Sequence, residues 1–247
     1  LNLVSEETKE RINESDIAFE IETKELDDLL SIFVPELKVN SSSFLKGDFN
    51  ARKGSLSANF RSESILFNDY IFQGISINQA ISNREIKGDF LVNSLSINDS
   101  LKLNNVHFVN SGIKGMLNST LTWDPESSGY SEIAWRTTFS DDSHINFLLK
   151  PSFFSINGLR WQLEKESDIS LTSDDLHITN FRLSRNDQLI KINGCLSKND
   201  FDKLKMDVQQ LDLDELSSVL SLPSKLKGSF SGWGMISNPY SNFKYLG

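Results

Sequence analysis

"DISLTSDDLHITNFRLSRNDQLIKINGCLS", residues 168–197, decides the fold class. Its apolar residues come in alternating pairs, Ile169 and Leu171, Leu176 and Ile178, Phe181 and Leu183, Ile190 and Ile192. A period of two is that of a half-buried strand. Ser173-Asp174-Asp175 and Arg185-Asn186-Asp187 punctuate the pairs as turns. The same pattern runs outward over residues 54–210: Leu56, Ala58 and Phe60 in "SLSANFRS"; Leu101, Leu103, Val106 and Phe108 around an Asn-Asn turn in "SLKLNNVHFV"; Leu121 and Trp123 in "STLTW". It continues with Ile133, Trp135 and Phe139 in "EIAWRTTF", and Ile145, Phe147 and Leu149 in "INFLL". Further turns are expected at Asn98-Asp99 and Asp124-Pro125. Strands of about 6 to 10 residues without intervening helices exclude a parallel α/β sheet, which needs a crossover helix after each strand. The expected fold is an all-β antiparallel meander, with one apolar face that something must cover.

The 247 residues suffice for one large β domain or two small ones. With 34 acidic against 25 basic residues the formal charge is -9, which argues against nucleic acid as a partner. The single cysteine, Cys195, has no intramolecular disulfide partner, so packing alone must hold the fold. No apolar run approaches the roughly 20 residues of a membrane-spanning helix, and the start at Leu1 carries no signal-peptide pattern. The chain reads as one β-rich segment, residues 1–247, of a longer protein whose anchors and targeting signals lie outside it.

Two stretches break the alternation. In "ELDDLLSIFVP", Leu26, Leu29, Leu30 and Phe33 fall on a helical stripe ended by Pro35; in "DLDELSSVLSLP", Leu213, Leu216 and Leu220 do the same before Pro223. Short helices are expected at about 24–34 and 212–221, the second with Asp212 and Glu215 as an N-cap and N3 pair. Each is followed by a five-residue phrase, "LKGDF" at 45–49 and "LKGSF" at 226–230, before a new strand. Leu26 and Leu213 lie 187 residues apart, too far for a solenoid coil, so the phrase reads as a marker that closes one sheet segment and opens the next.

These residues resemble the TamB proteins of the translocation and assembly module, within the AsmA-like group of bacterial envelope proteins. The carriers are the two helix phrases, the "LKGxF" openings, the run "RWQLEKESDISLTSDDLHITNFRLSRNDQLIKINGCLS", the passage "LKMDVQQLDLDELSSVL" into the helix, and the ending "SGWGMISNPYSNF". The likeness covers about residues 20–247 and is closest to Bacteroidetes-type versions. It implies a long sheet curled into a U-shaped, taco-like trough with an apolar interior, in the periplasm. An inner-membrane anchor and an outer-membrane barrel partner of the TamA or BamA kind would be engaged by regions outside this chain. It implies two roles: conducting phospholipids between the membranes, with acyl chains as the ligand, and helping to assemble outer-membrane proteins.

A curled sheet turns every second side chain inward. The 21 residues named above from Leu56 to Phe108 and from Ile133 to Ile192 would therefore line either an open groove or the sealed core of a closed sandwich, and periodicity does not separate the two. An open apolar lining lets acyl chains slide, because they need no directional hydrogen bonds. The rival reading is a chaperone-like scaffold that lends its sheet edge to nascent strands.

No enzyme, metal site or cofactor is expected. His107, His144 and His177 stand apart within strands, without metal-ligand spacing. The acid pairs Asp27-Asp28, Asp141-Asp142 and Asp174-Asp175 sit in turns and a helix start rather than facing one another across a groove, as a glycosidase requires. Trp123, Trp135, Trp161 and Trp233 read as core or groove packing rather than sugar platforms.

Overall fold

The alternating runs become long antiparallel ladders. The computed structural model describes residues 16–23, 34–39, 42–82, 84–98, 101–124, 129–141, 144–156, 158–219, 226–237 and 244–246. The chain is almost all β, 77% strand and 2% helix, and its sheet is antiparallel, as the alternation predicts. It divides into two compact units: residues 1–97 with 102–114, and residues 98–101 with 115–247.

In the first unit β1 (Asp16–Thr23) pairs with β3 (Ser43–Asn50), β3 with β4 (Ser55–Phe67), β4 with β5 (Tyr70–Ser82) and β5 with β6 (Glu85–Asn98). The short β2 (Leu37–Lys38) continues the ladder on β4 beyond β3, and β7 (Leu101–Ile113) completes the unit. Strands β4 to β7 are 13 or 14 residues long, beyond the expected 6 to 10. One reason lies at Asn104-Asn105, which is not a turn. β7 passes straight through it, with Asn105 at φ 48°. A single left-handed residue can re-aim a strand without ending it, and Asn is the non-glycine residue that tolerates that conformation best.

The second unit contains β8 (Met116–Trp123), β9 (Ser131–Asp141), β10 (His144–Leu149), β11 (Ser152–Ile156), β12 (Leu159–Leu163), β13 (Ser167–Leu171), β14 (Leu176–Arg185), β15 (Gln188–Leu196), β16 (Leu204–Asp212), β17 (Ser229–Ser237) and β18 (Lys244–Leu246). Its ladder runs β8–β9, then through two broken strands, then β14–β15–β16–β17–β18. The breaks have a chemical cause. β10 and β11 form one interrupted line along β9, split at Lys150-Pro151 because proline has no N–H for the ladder. Ser152 Oγ accepts from the Ala134 N–H at 3.1 Å and donates to the Lys150 carbonyl at 2.8 Å, satisfying backbone groups at the gap. β13 and β12 answer on the far side, both pairing with β14.

The only helix among the described residues, α1 (Leu213–Val219), starts where the sequence predicts. Asp212 Oδ1 accepts from the Asp214 and Glu215 N–H groups at 2.9 and 3.2 Å, so Asp212 is the N-cap. The reciprocal half of the box is absent: the Asp212 N–H donates to Gln188 Oε1 at 3.2 Å, while Glu215 pairs with Arg185 and accepts from Gln188 Nε2. Glu215 is thus used to fasten α1 to the β14–β15 hairpin. The first expected helix, 24–34, falls almost wholly outside the described residues.

The marker phrase does not divide one sheet from the next. β16 and β17, before and after α1, are ladder neighbours, and so are β1 and β3 on either side of the first copy. Each copy therefore sits in the connection of an antiparallel strand pair. Nor do the two five-residue phrases share a backbone: Leu45 to Phe49 lies inside β3, whereas Gly228, at φ 99°, precedes β17.

Candidate functional site: an apolar sheet face

Residues opposite each other in a ladder point to the same face, so the register sorts the expected lining directly. In the second unit one row runs Thr137–Phe147–Ile169–Ile178–Gly194, and the next runs Phe139–Ile145–Leu171–Leu176–Leu196. Trp135 stands opposite Leu149, Ile133 opposite Leu121, Phe181 opposite Ile192 and Leu183 opposite Ile190. All fourteen expected residues from Ile133 to Ile192 share this face.

That result depends on one bulge. Ile178 and Phe181 are three residues apart, which in a regular strand would send them to opposite faces. Thr179 and Asn180 together oppose Asn193; Asn180 takes φ 60° and its N–H donates to Asn193 Oδ1 at 3.3 Å. The same device recurs between Val208 and Leu211, where Gln210 takes φ 49° and donates its N–H to Ser231 Oγ at 2.8 Å.

In the first unit Leu56, Ala58 and Phe60 lie opposite Phe49, Gly47 and Leu45 on one side and Ile81, Gln79 and Ile77 on the other. Phe90 opposes Ile77, and the Phe108 ring lies 5.3 Å from that of Phe90, which brings Phe108 to the same face. Leu101, Leu103 and Val106 are half-buried along β7.

None of the 21 expected residues is fully buried. Nineteen are half-buried, while Phe139 and Leu171, in one row, are 47% and 41% exposed. The fully covered positions on this face are mostly small hydroxyl residues set beside large apolar ones. Ser131 opposes Trp123, Ser119 opposes Trp135, and Ser167 opposes Leu149. Ser131 Oγ donates to the Gly129 carbonyl at 2.8 Å and accepts from the Ser155 N–H at 2.8 Å; Ser167 Oγ donates to the Thr179 carbonyl at 3.1 Å. These serines satisfy backbone groups locally and leave room for neighbouring rings and branched chains. Simple alternation passes over them, and over the buried Ile75, Leu163 and Val208, whose runs are interrupted by Gly74, by Glu164-Lys165-Glu166 and by the bulge at Gln210.

The opposite face is polar. Arg136 Nε donates to Asn118 Oδ1 at 3.2 Å, and Asn146 Nδ2 donates to Asp168 Oδ1 at 3.0 Å. Each histidine stands on the polar face of its own unit: in the first, His107 Nε2 lies 3.2 Å from Asp89 Oδ2; in the second, His144 Nε2 lies 2.8 Å from Ser170 Oγ and His177 opposes Cys195. No group of three or more His, Cys, Asp or Glu side chains among the described residues is arranged to hold a metal ion. Asp174 and Asp175 form a turn on Thr172 Oγ1, and Asp174 pairs with Lys198. Asp27, Asp28 and Asp142 lie outside the described residues. Trp123, Trp135 and Trp161 are on the apolar face, and Trp233, opposite Asp207, is on the polar one. The polar face of the first unit carries a shallow depression of about 590 Å³ walled by Lys46, Asn59, Asn78 and Asp89.

No family model, curated protein or solved structure matches this chain.

Proposed function

We propose that this chain is a segment of a TamB-like envelope protein whose apolar sheet face, curled into a groove, carries phospholipid acyl chains across the periplasm. The observation that supports this reading is the in-register apolar face, continuous from β8 to β16, on which most of the large side chains keep some exposure and Phe139 and Leu171, in one row, are exposed. A contiguous apolar face that its own chain leaves partly open calls for a ligand or partner. Acyl chains fit it: each CH₂ removed from water contributes about 0.8 kcal/mol wherever along the face it rests, so a chain can slide without breaking directional bonds. Anchoring in the inner membrane and docking to an outer-membrane barrel belong, in this proposal, to regions outside the chain.

The scaffold alternative draws less support from the edge. Among the described residues β1 pairs on one side only, but it carries Asp16, Glu20 and Glu22, charges of the kind that discourage strand addition. Native mass spectrometry and lipid extraction test the proposal on the parent and on Phe147→Asp and Ile178→Asp, which alter one row. Phospholipid on the parent, lost from variants with unchanged circular dichroism, is expected. A folded parent free of lipid would overturn the conduit.

A further inference from the structure

On the first unit's apolar face a row of small and amide residues lies between two apolar ones. Two rows are apolar throughout: Ile21–Leu45–Phe60–Ile77–Phe90 and Ile17–Phe49–Leu56–Ile81–Ile86. Between them runs Phe19–Gly47–Ala58–Gln79–Gly88, in which small residues replace the branched chains and Gln79 brings an amide. Asn110 completes this row. A Cβ on Gly88 would lie 2.7 Å from Asn110 Nδ2, Asn110 Oδ1 and Gln79 Oε1, so both amides occupy the space above that glycine, on the apolar side. Asn110 is only 8% exposed, and its Oδ1 has no hydrogen-bond partner.

A buried acceptor without a donor costs about 1–3 kcal/mol, and an aliphatic side chain of similar size would avoid it. Apolar rows on both sides make this an acceptor set in a greasy surface. We infer that the Asn110–Gln79 notch over Gly88 is a binding site for the hydroxyl of a long-chain amphiphile, with the alkyl chain lying along a flanking apolar row. A hydroxyl suits the notch in either orientation of the Asn110 amide, since it both donates and accepts. This inference rests on the conduit reading and adds to it a preference among lipids: those with a free hydroxyl within a few atoms of the acyl chain bind here best.

The test is competition by native mass spectrometry between monoolein and methyl oleate, which share an acyl chain and an ester but differ in free hydroxyls. The parent should prefer monoolein by about tenfold, the worth of one well-made hydrogen bond to an otherwise unpartnered group. Asn110→Leu should bind both equally and melt no lower than the parent, because it removes an orphaned polar atom. Gly88→Ala, whose new methyl group meets the amide ends of Asn110 and Gln79 before any backbone, should fold once those ends shift, and should lose the same preference. Equal binding of both lipids by the parent would overturn the notch and leave the conduit standing. Binding of neither would overturn both. An Asn110→Leu protein that unfolds early while Gly88→Ala keeps the tenfold preference would make Asn110 a packing residue and sink the inference.

Discussion

Removing Asn180 should be nearly harmless, although it shortens a strand in the middle of a sheet. In β14 the extra residue lets Ile178 and Phe181, three apart, reach one face; without it they become two apart, and a regular strand points them the same way. The pairs Ile178–Gly194 and Phe181–Ile192 survive, with Thr179 left opposite Asn193. The deletion loses one Asn180 N–H bond, worth about 0.5–1.5 kcal/mol, and relieves a left-handed backbone costing about 1–2 kcal/mol, so the two nearly offset. Deleting Arg182, two positions along, is the control. It leaves Phe181 and Leu183 adjacent, so one must leave its partner, Ile192 or Ile190, and the hairpin pairing of Ser184 and Arg185 slips. Exposing one half-buried apolar side chain costs about 1 kcal/mol, and the lost pairing with the Arg185–Glu215 contact about 2 more. By calorimetry the Asn180 deletion should change Tm by under about 4 °C and the Arg182 deletion should lower it by about 6–12 °C. Equal damage from both would refute the parity argument and mean that the bulge is needed for the bend it imposes.

Glu215→Ala should destabilise the protein by about 1–2 kcal/mol in urea titration, because Arg185 is left largely covered without its carboxylate and Gln188 loses an acceptor; Glu215→Gln, which keeps an acceptor, should recover part of the loss. The Cys195 thiol is pushed above its ordinary value of 9.0 by burial, with the charges of Asp202 and Asp175 adding to the effect. Iodoacetamide at pH 8.5 should therefore label it slowly until urea is added. Since the folded state favours the protonated thiol, its stabilising contribution is complete below the ordinary thiol value and fades as pH rises through the folded one, a decline that Cys195→Ala should lack.

Much of the face was legible because hydrophobic alternation and ladder register are two views of one geometry. Phe147, Ile169 and Ile178 could be paired with one solvent-shielded side from sequence, and the ladder puts them in one row. What alternation misses is a change of phase. The spacing of three in Ile178 to Phe181 and Val208 to Leu211 marks a bulge, and that in Leu103 to Val106 a strand that continues through Asn105; in all three a positive φ stands just before the second apolar residue. A turn and a bulge use the same residue types, so Asn104-Asn105 carried no local sign that β7 goes on; only the ladder partner decides. Ser131 and Ser167 were hidden for another reason. Their burial comes from Trp123 and Leu149 on neighbouring strands and from the backbone groups they bond, none of which is near in sequence. The α1 start was readable because an N-cap is local, whereas the docking of Glu215 on Arg185 depends on a hairpin 30 residues away.

If acyl chains lie on one face of this sheet, as proposed, neighbouring residues on a strand must differ in their contact with lipid, because they point to opposite sides. A photoactivatable benzophenone side chain is placed at Ile169, in the row of Phe147 and Ile178, and separately at Ser170, beside His144 on the polar face. Each protein is irradiated with phospholipid vesicles and its lipid adducts are measured by mass spectrometry. Adducts are expected from position 169 and only background from position 170. Equal labelling at both positions, or labelling at 170 alone, would contradict the proposal.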